Sequence, residues 1–345
     1  MEAMSDVIEV SYTGDLLAHR RCRRAWAYEK RAGFHPYEVV QAMEGRLVHH
    51  AMEWLTRQYR EVLGRHATAD ELRAQMEHYF RVLWARGIRT AFASKQETID
   101  RVVGNLYPSG KLDPVVKAVI EGAQHTEYEL RAVKKILPLD IASFSGKSRI
   151  LLTGILDLVI QQQSPLTYPR TWKWDWVIDL TGAVEESPTT AAAGDIEIWD
   201  YKGTRANSPF VADYVRQLLT YAALYRDRTG ELPVRCVLFF INEPKPDRRL
   251  LAIDVDTTGV DAALAWTYDQ VRLLRSTADT FEARPDNVLA GELAKEADPL
   301  GSRLSQETTA QCTACTFRFD CPEYTAHLKG GDQHPDINRT NVFKN

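Results

Sequence analysis

The sequence is short of the features that announce a function at sight. No apolar run in its 345 residues approaches the ~20 that a membrane-spanning helix needs, which excludes that class of span. No GxxxxGK[ST] stretch occurs, so a phosphate-cradling loop of that kind, and a nucleotide-driven motor built on it, are excluded. Neither sign of charge dominates. The formal net charge is −4, which argues against a globally basic coat for nucleic acid but leaves room for a local basic groove. The first ten residues, MEAMSDVIEV, are acidic and lack a signal-peptide pattern, so a cytoplasmic setting is expected. Cysteine is scarce, five residues in all, and in a reducing compartment disulfides are not expected. No internal repeat is visible.

What is present reads as a soluble protein with a large core. Length gives a soft prior of two domains, and the 44% hydrophobic content is enough to bury a sizeable interior. Amphipathic spacing predicts a helix from Ser11 to about Arg31, with Gly33 as its stop and with Cys22 and Trp26 on one face. Further helices are expected at about 39–63, 68–86, 95–106 and 113–125. The texture then changes. TEYELRAVKKILPL, SRILLTGILDLVIQ and DIEIWDYKGT read as strands, and between the last two lies a hairpin followed by a loop rich in Thr, Ala and Pro. A helix capped by Ser208 and stopped by Gly230 follows, then the strands VRCVLFFIN and RLLAIDV, then a helix from about 259 to 276. The expected fold class is α/β, a mixed central sheet flanked by helices.

The sharpest local signal is WDYKGT. On a strand, Asp200 and Lys202 project from the same face about 6.6 Å apart, with Tyr201 turned the other way. Asp157 stands alone among Ile, Leu and Val in TGILDLVI, and a carboxylate in such text is costly to bury without a partner or a metal. Gly154 precedes it by three. His49 follows Gly45 by one helical turn in EGRLVHHAM, and Gln217 and Tyr221 lie one turn apart on the helix after the DxK strand. Taken singly, each is commonplace: a cross-strand ion pair, a satisfied histidine. In order they are GxxxH, GxxD, DxK and QxxxY. That ordered set resembles the PD-(D/E)XK nuclease superfamily in its RecB-like branch, whose core is the restriction-endonuclease-like fold. The resemblance implies that His49, Asp157 and Asp200 hold Mg²⁺ or Mn²⁺. It also implies that Lys202 positions or activates the attacking water, and that Gln217 and Tyr221 support the site. Leu156 stands where the family often has proline, and the last acid is Asp instead of Glu.

The cysteines form a second set. Cys236 falls in a predicted core strand and reads as a small buried residue. Cys312, Cys315 and Cys321 have C-x2-C-x5-C spacing, and Cys22 is the one remaining candidate for a fourth thiolate. One cysteine before the nuclease motifs and three after them resembles the iron–sulfur subgroup, which includes the AddB-type recombination nucleases and the nuclease of CRISPR adaptation. That resemblance implies a [4Fe–4S] cluster clasping the N-terminal helix to the C-terminal segment, with a zinc site as the alternative.

The expected organisation is an N-terminal helical region at 1–126, a nuclease core at 127–256 with an insertion at about 161–194, a C-terminal region with the cysteines at 257–327, and a mobile tail at 328–345. Trp172, Trp174 and Trp176 share one strand face in the insertion, where they pack or stack on bases. Outward members of the cluster Arg20, Arg21, Arg23 and Arg24 are candidates for a phosphate path. The expected function is a metal-dependent DNA nuclease acting on single strands or ends, exonuclease ahead of endonuclease. Its expected partners are DNA and a helicase, an integrase or another DNA-processing protein. The alternative is a DNA-binding or assembly subunit of a DNA-processing or defence complex whose nuclease site is unused.

Overall fold

The computed structural model describes residues 7–34, 40–85, 94–135, 149–175, 181–206 and 210–283, together with Cys315 and Phe317. The chain enters through a strand. Val7–Ser11 (β1) pairs parallel with a later strand, and the single helix expected from Ser11 to Arg31 is replaced by three pieces. These are a π-helical turn Tyr12–Leu17, a short helix Ala18–Arg21 (α1) and a second helix Arg23–Lys30 (α2). Cys22 lies between the helices in extended conformation (φ −159°, ψ 107°). Its sulfur accepts the Ala25 N–H at 3.4 Å and so caps α2, satisfying one of the donors a helix start leaves over. The expected helical face shared by Cys22 and Trp26 therefore does not exist. Gly33 does end α2, with φ 74°, a left-handed conformation that suits glycine.

Four amphipathic helices follow, Val40–Arg57 (α3), Ala69–Ala85 (α4), Lys95–Leu106 (α5) and Pro114–Gly122 (α6), with α3 prolonged by a π turn over Gln58–Leu63. Ser94 caps α5, and Asp113 caps α6 just before its Pro114. Two 13-residue strands come next, Ala123–Lys135 (β2) and Arg149–Gln161 (β3).

Among its described residues the insertion contains four short strands: Leu166–Tyr168 (β4), Thr171–Asp175 (β5), Thr181–Glu185 (β6) and Thr189–Ala191 (β7). β4 and β7 pair with each other, so part of the expected loop is strand. The β5–β6 hairpin joins the main sheet. Ile196–Lys202 (β8), the helix Val211–Thr229 (α7), Arg235–Phe240 (β9), Leu250–Asp254 (β10) and the helix Thr257–Ala283 (α8) complete the described chain. Gly230 (φ 86°) ends α7 as expected, while Ser208, its expected cap, lies outside the described residues.

The main sheet runs β1-β3-β8-β9-β10-β5-β6, with β2 on the other edge of β3. It is mixed: β8 and β9 are parallel, while β3–β8 and β9–β10 are antiparallel. Its centre is buried on both faces, and β9, RCVLFF, shows no exposed residue. Cys236, Leu238 and Phe240 pack with α7, α8 and the N-terminal turn. Val237 and Phe239 pack with α3 to α6 on the opposite face. Trp172 is buried and belongs to the first of these cores, which favours packing at that position; Trp176 lies outside the described residues.

Candidate active site

The fold makes a fork in the sheet. β1 pairs with β3 only as far as Ser11 opposite Thr153, and β8 takes up the same edge from Trp199 opposite Leu158. Gly154 to Asp157 lie in the gap. Leu152 and Leu156 pack into one core and Leu158 and Ile160 into the other, so the alternation of β3 changes over at Asp157. The Asp157 side chain spans the gap, its Oδ2 accepting the Tyr201 N–H of β8 at 2.8 Å.

Side chains from four elements meet here. From α3, His49 Nδ1 stands 3.1 Å from Asp157 Oδ1, and its ring is edge-on to Tyr201. From β8, Asp200 is 4% exposed and its Oδ2 lies 2.6 Å from the Lys202 ammonium. At that distance the ion pair is close and charge-assisted, and it is buried. From α7, Gln217 Oε1 accepts from Lys202 Nζ at 3.3 Å, while its amide nitrogen donates to Tyr221 Oη at 3.1 Å and to Thr13 Oγ1 at 3.2 Å. Tyr214, one turn before Gln217, sets its ring 4.3 Å from the Lys202 nitrogen.

The charges shape one another. Burial pushes the Asp200 carboxyl up, Lys202 pulls it down and the Asp157 carboxylate pushes it up again, leaving it near 6. Burial opposes charge on His49, but the Asp157 carboxylate overrides it by charge and hydrogen bond and raises the imidazole to about 9. Burial likewise opposes the Lys202 ammonium, and Asp200 and Asp157 more than compensate, so its pKa is raised and the ammonium stays protonated. A site with two facing carboxylates, one of them in the interior, is a place for cationic chemistry.

The other expected residues separate. Cys22 caps α2, and Cys315 is followed two residues later by Phe317, whose ring packs edge-on against Tyr28 of α2 at 5.5 Å. Cys312 and Cys321 lie outside the described residues. Arg20 and Arg21 are exposed, Arg23 is half-buried and Arg24 is buried, so Arg24 is not part of an outward path. Arg20 pairs with Asp213 of α7, and Arg21 lies over the Phe210 ring.

The family model described as the PD-(D/E)XK nuclease superfamily matches residues 14–173 and 185–322, most of the chain. This chain belongs to the PD-(D/E)XK nuclease superfamily. No curated protein matches it. Nucleases of this superfamily are generally metal-dependent and typically use Mg²⁺ or Mn²⁺. Among the described residues no three His, Cys, Asp or Glu side chains form a ready metal cage. Mg²⁺ does not need one, because it keeps several waters and binds through one or two carboxylates plus substrate oxygens. Two carboxylates close enough for the charge of Asp157 to raise the Asp200 carboxyl, with the His49 imidazole beside Asp157, are a donor set that suits such an ion.

Two PD-(D/E)XK site neighbours escape the sequence reading, Tyr214 and Thr13. Tyr214, Gln217 and Tyr221 form an i, i+3, i+7 stripe, a signal present in DYVRQLLTY but not separable from ordinary helix packing. Thr13 has no local signal, since it reaches Gln217 across 204 positions.

Proposed function

We propose that this PD-(D/E)XK protein is a Mg²⁺- or Mn²⁺-dependent deoxyribonuclease of the RecB-like branch. It acts on single-stranded DNA or DNA ends, by exonucleolytic more than endonucleolytic cleavage. The observation that carries this reading is the convergence of His49 from α3, Asp157 from β3, and Asp200 and Lys202 from β8 onto one fork in the sheet.

In this reading Asp157, Asp200 and His49 hold the metal. When bound, the ion lowers the pKa of water and offsets negative charge on the phosphoryl and leaving oxygens. Lys202, held protonated by two carboxylates, serves as a fixed positive charge beside the phosphate and not as a base. Gln217 and Tyr221 orient Lys202 and shape the wall of the site. The exposed Arg20 and Arg21 lead the DNA backbone towards it. No motor of the P-loop kind is encoded in these residues, so a helicase, integrase or similar partner would open duplexes.

A [4Fe–4S] cluster held by Cys22, Cys312, Cys315 and Cys321 completes the reading. Its support is the contact of Phe317, two residues after Cys315, with Tyr28 of the helix that Cys22 caps, and a family match that extends one residue past Cys321. A crosslink between residues so distant in sequence restrains the unfolded chain.

The test is anaerobic purification with iron, sulfide and zinc analysis, then cleavage of matched labelled DNA and RNA strands with Mg²⁺ or Mn²⁺. Asp200→Ala is expected to abolish cleavage while retaining DNA binding, and Cys22→Ala to lower iron content. A wild type that cleaves no substrate with either metal would instead support a scaffold role. Zinc in place of iron would replace the cluster.

A further inference from the structure

The ammonium of Lys202 has three donors on a flexible four-carbon stem, and fixing such a group needs contacts on several sides. Two are polar: the Asp200 carboxylate at 2.6 Å and the Gln217 amide oxygen at 3.3 Å. The third side is closed by the face of Tyr214, with the nitrogen 4.3 Å from the ring centroid. Tyr214 is itself 7% exposed and set in the core between β8 and α7, so its ring is held still and the contact is screened from water. A cation over an aromatic face gains most where both are desolvated. The residue also belongs to the α7 stripe that carries Gln217 and Tyr221, so one rigid helix face presents all three.

We propose that Tyr214 is a positioning residue of the nuclease site: its ring face holds the Lys202 ammonium in the orientation that meets Asp200 and Gln217, and so governs the rate of hydrolysis and not the binding of DNA. The inference rests on the reading of Lys202 as a working group of the site. It assigns the aromatic face, and not the hydroxyl, as the feature that matters.

The experiment measures kcat, KM and thermal stability for Tyr214→Leu, Tyr214→Phe and Lys202→Ala in the full chain. A series with mono-, di- and trifluorinated phenylalanine at position 214 keeps the shape of the ring and weakens its face stepwise. Tyr214→Leu is expected to lower kcat about 30-fold with little change in KM. Tyr214→Phe is expected to recover most of that loss, and kcat should fall progressively along the fluorinated series at constant melting temperature. The series decides the matter even where Tyr214→Leu folds poorly. An inactive Lys202→Ala combined with a flat fluorinated series overturns the role of Tyr214 alone. A Lys202→Ala protein that cleaves like the wild type removes the reading of Lys202, and the inference with it.

Discussion

The ring of Tyr221 occupies the space that a β-carbon on Gly154 would need. The strand residue and the helix residue are in direct contact at the fork, and the glycine is required by that contact and not by backbone conformation. Gly154→Ala forces the ring aside, at about 1–3 kcal/mol for overpacking. The same shift pulls the Tyr221 hydroxyl off Gln217 and disturbs the amide that holds Lys202. Cleavage at saturating DNA should fall on the order of 10- to 100-fold, as misplacements of about an ångström do. Urea melts and single-turnover cleavage measure the two effects. Adding Tyr221→Ala to Gly154→Ala should relieve the clash, so that the double variant loses less stability than the two single losses added together while its rate stays low, because the two substitutions share one contact.

Asp200 and Lys202 form a buried pair, and breaking such a pair costs more than replacing it. Asp200→Ala leaves the ammonium facing only Gln217, the Tyr214 ring and the Asp157 charge, so a loss of about 3–5 kcal/mol is expected. The double variant Asp200→Leu, Lys202→Met removes both charges and should recover most of that loss while remaining inactive. Chemical denaturation of the singles and the double, with cleavage assays alongside, checks both halves. A double variant no more stable than Asp200→Ala would show that the pair is not isolated electrostatically from His49 and Asp157.

Glu197 is a buried anion with a different task. Its carboxylate accepts from Gln162 (2.7 Å), Tyr168 (2.5 Å), Trp199 (3.0 Å) and Arg235 (3.1 Å), which ties β4 and β9 to β8. Glu197→Ala takes the shared acceptor away from four donors: the Gln162 amide keeps Tyr168 and the Arg235 guanidinium keeps Asp254 and Thr189, while the Tyr168 and Trp199 donors lose this bond, and the change should cost about 3–5 kcal/mol. Because none of these side-chain hydrogen bonds goes to Asp157, Asp200 or Lys202, cleavage per folded molecule is expected to hold. Titrating active molecules against the folded fraction from circular dichroism tests this separation.

The contrast between Glu197 and Asp200 shows how far the sequence could be read. Both lie on IEIWDYK, and nothing local distinguishes a structural anion from one in the candidate site. Asp200 was legible because Lys202 shares its strand face, Gln217 and Tyr221 share a helix face, and the pairs Gly45–His49, Gly154–Asp157, Asp200–Lys202 and Gln217–Tyr221 stand in the order of the PD-(D/E)XK motifs. Those spacings lie within single elements, where geometry follows directly from the period. The fork itself was not legible. It depends on β1, five residues for which no strand is expected from the sequence and whose last, Ser11, reads as the start of a helix, stopping opposite Thr153. The break at Cys22 was missed for a similar reason, because a sulfur cap interrupts a stretch whose helical propensity continues on both sides. The ties from Thr13 to Gln217 and from Glu197 to Gln162 and Arg235 join separate segments, so they become visible only once the chain is folded.

The N-terminal segment should also give the protein a sensitivity to acid. His19 of α1 is 1% exposed, donates to or accepts from Thr277 of α8 at 2.8 Å, and packs edge-on against Trp26. Burial, with a smaller contribution from the nearby Arg23 charge, lowers its pKa to about 4 from an ordinary value of 6.5. Between those values the unfolded chain binds a proton that the folded chain refuses, so stability rises with pH. The contribution is fully present above about pH 6.5 and is lost as the pH falls towards 4, the total loss being roughly 3 kcal/mol. His19→Gln keeps a hydrogen-bonding side chain towards Thr277 but has no proton to gain. The difference in unfolding free energy between wild type and His19→Gln, measured by urea melts from pH 7.5 to 4.5, should therefore shift steadily in favour of the variant below pH 6.5. A pH-independent difference would mean that His19 titrates alike in the folded and unfolded chains.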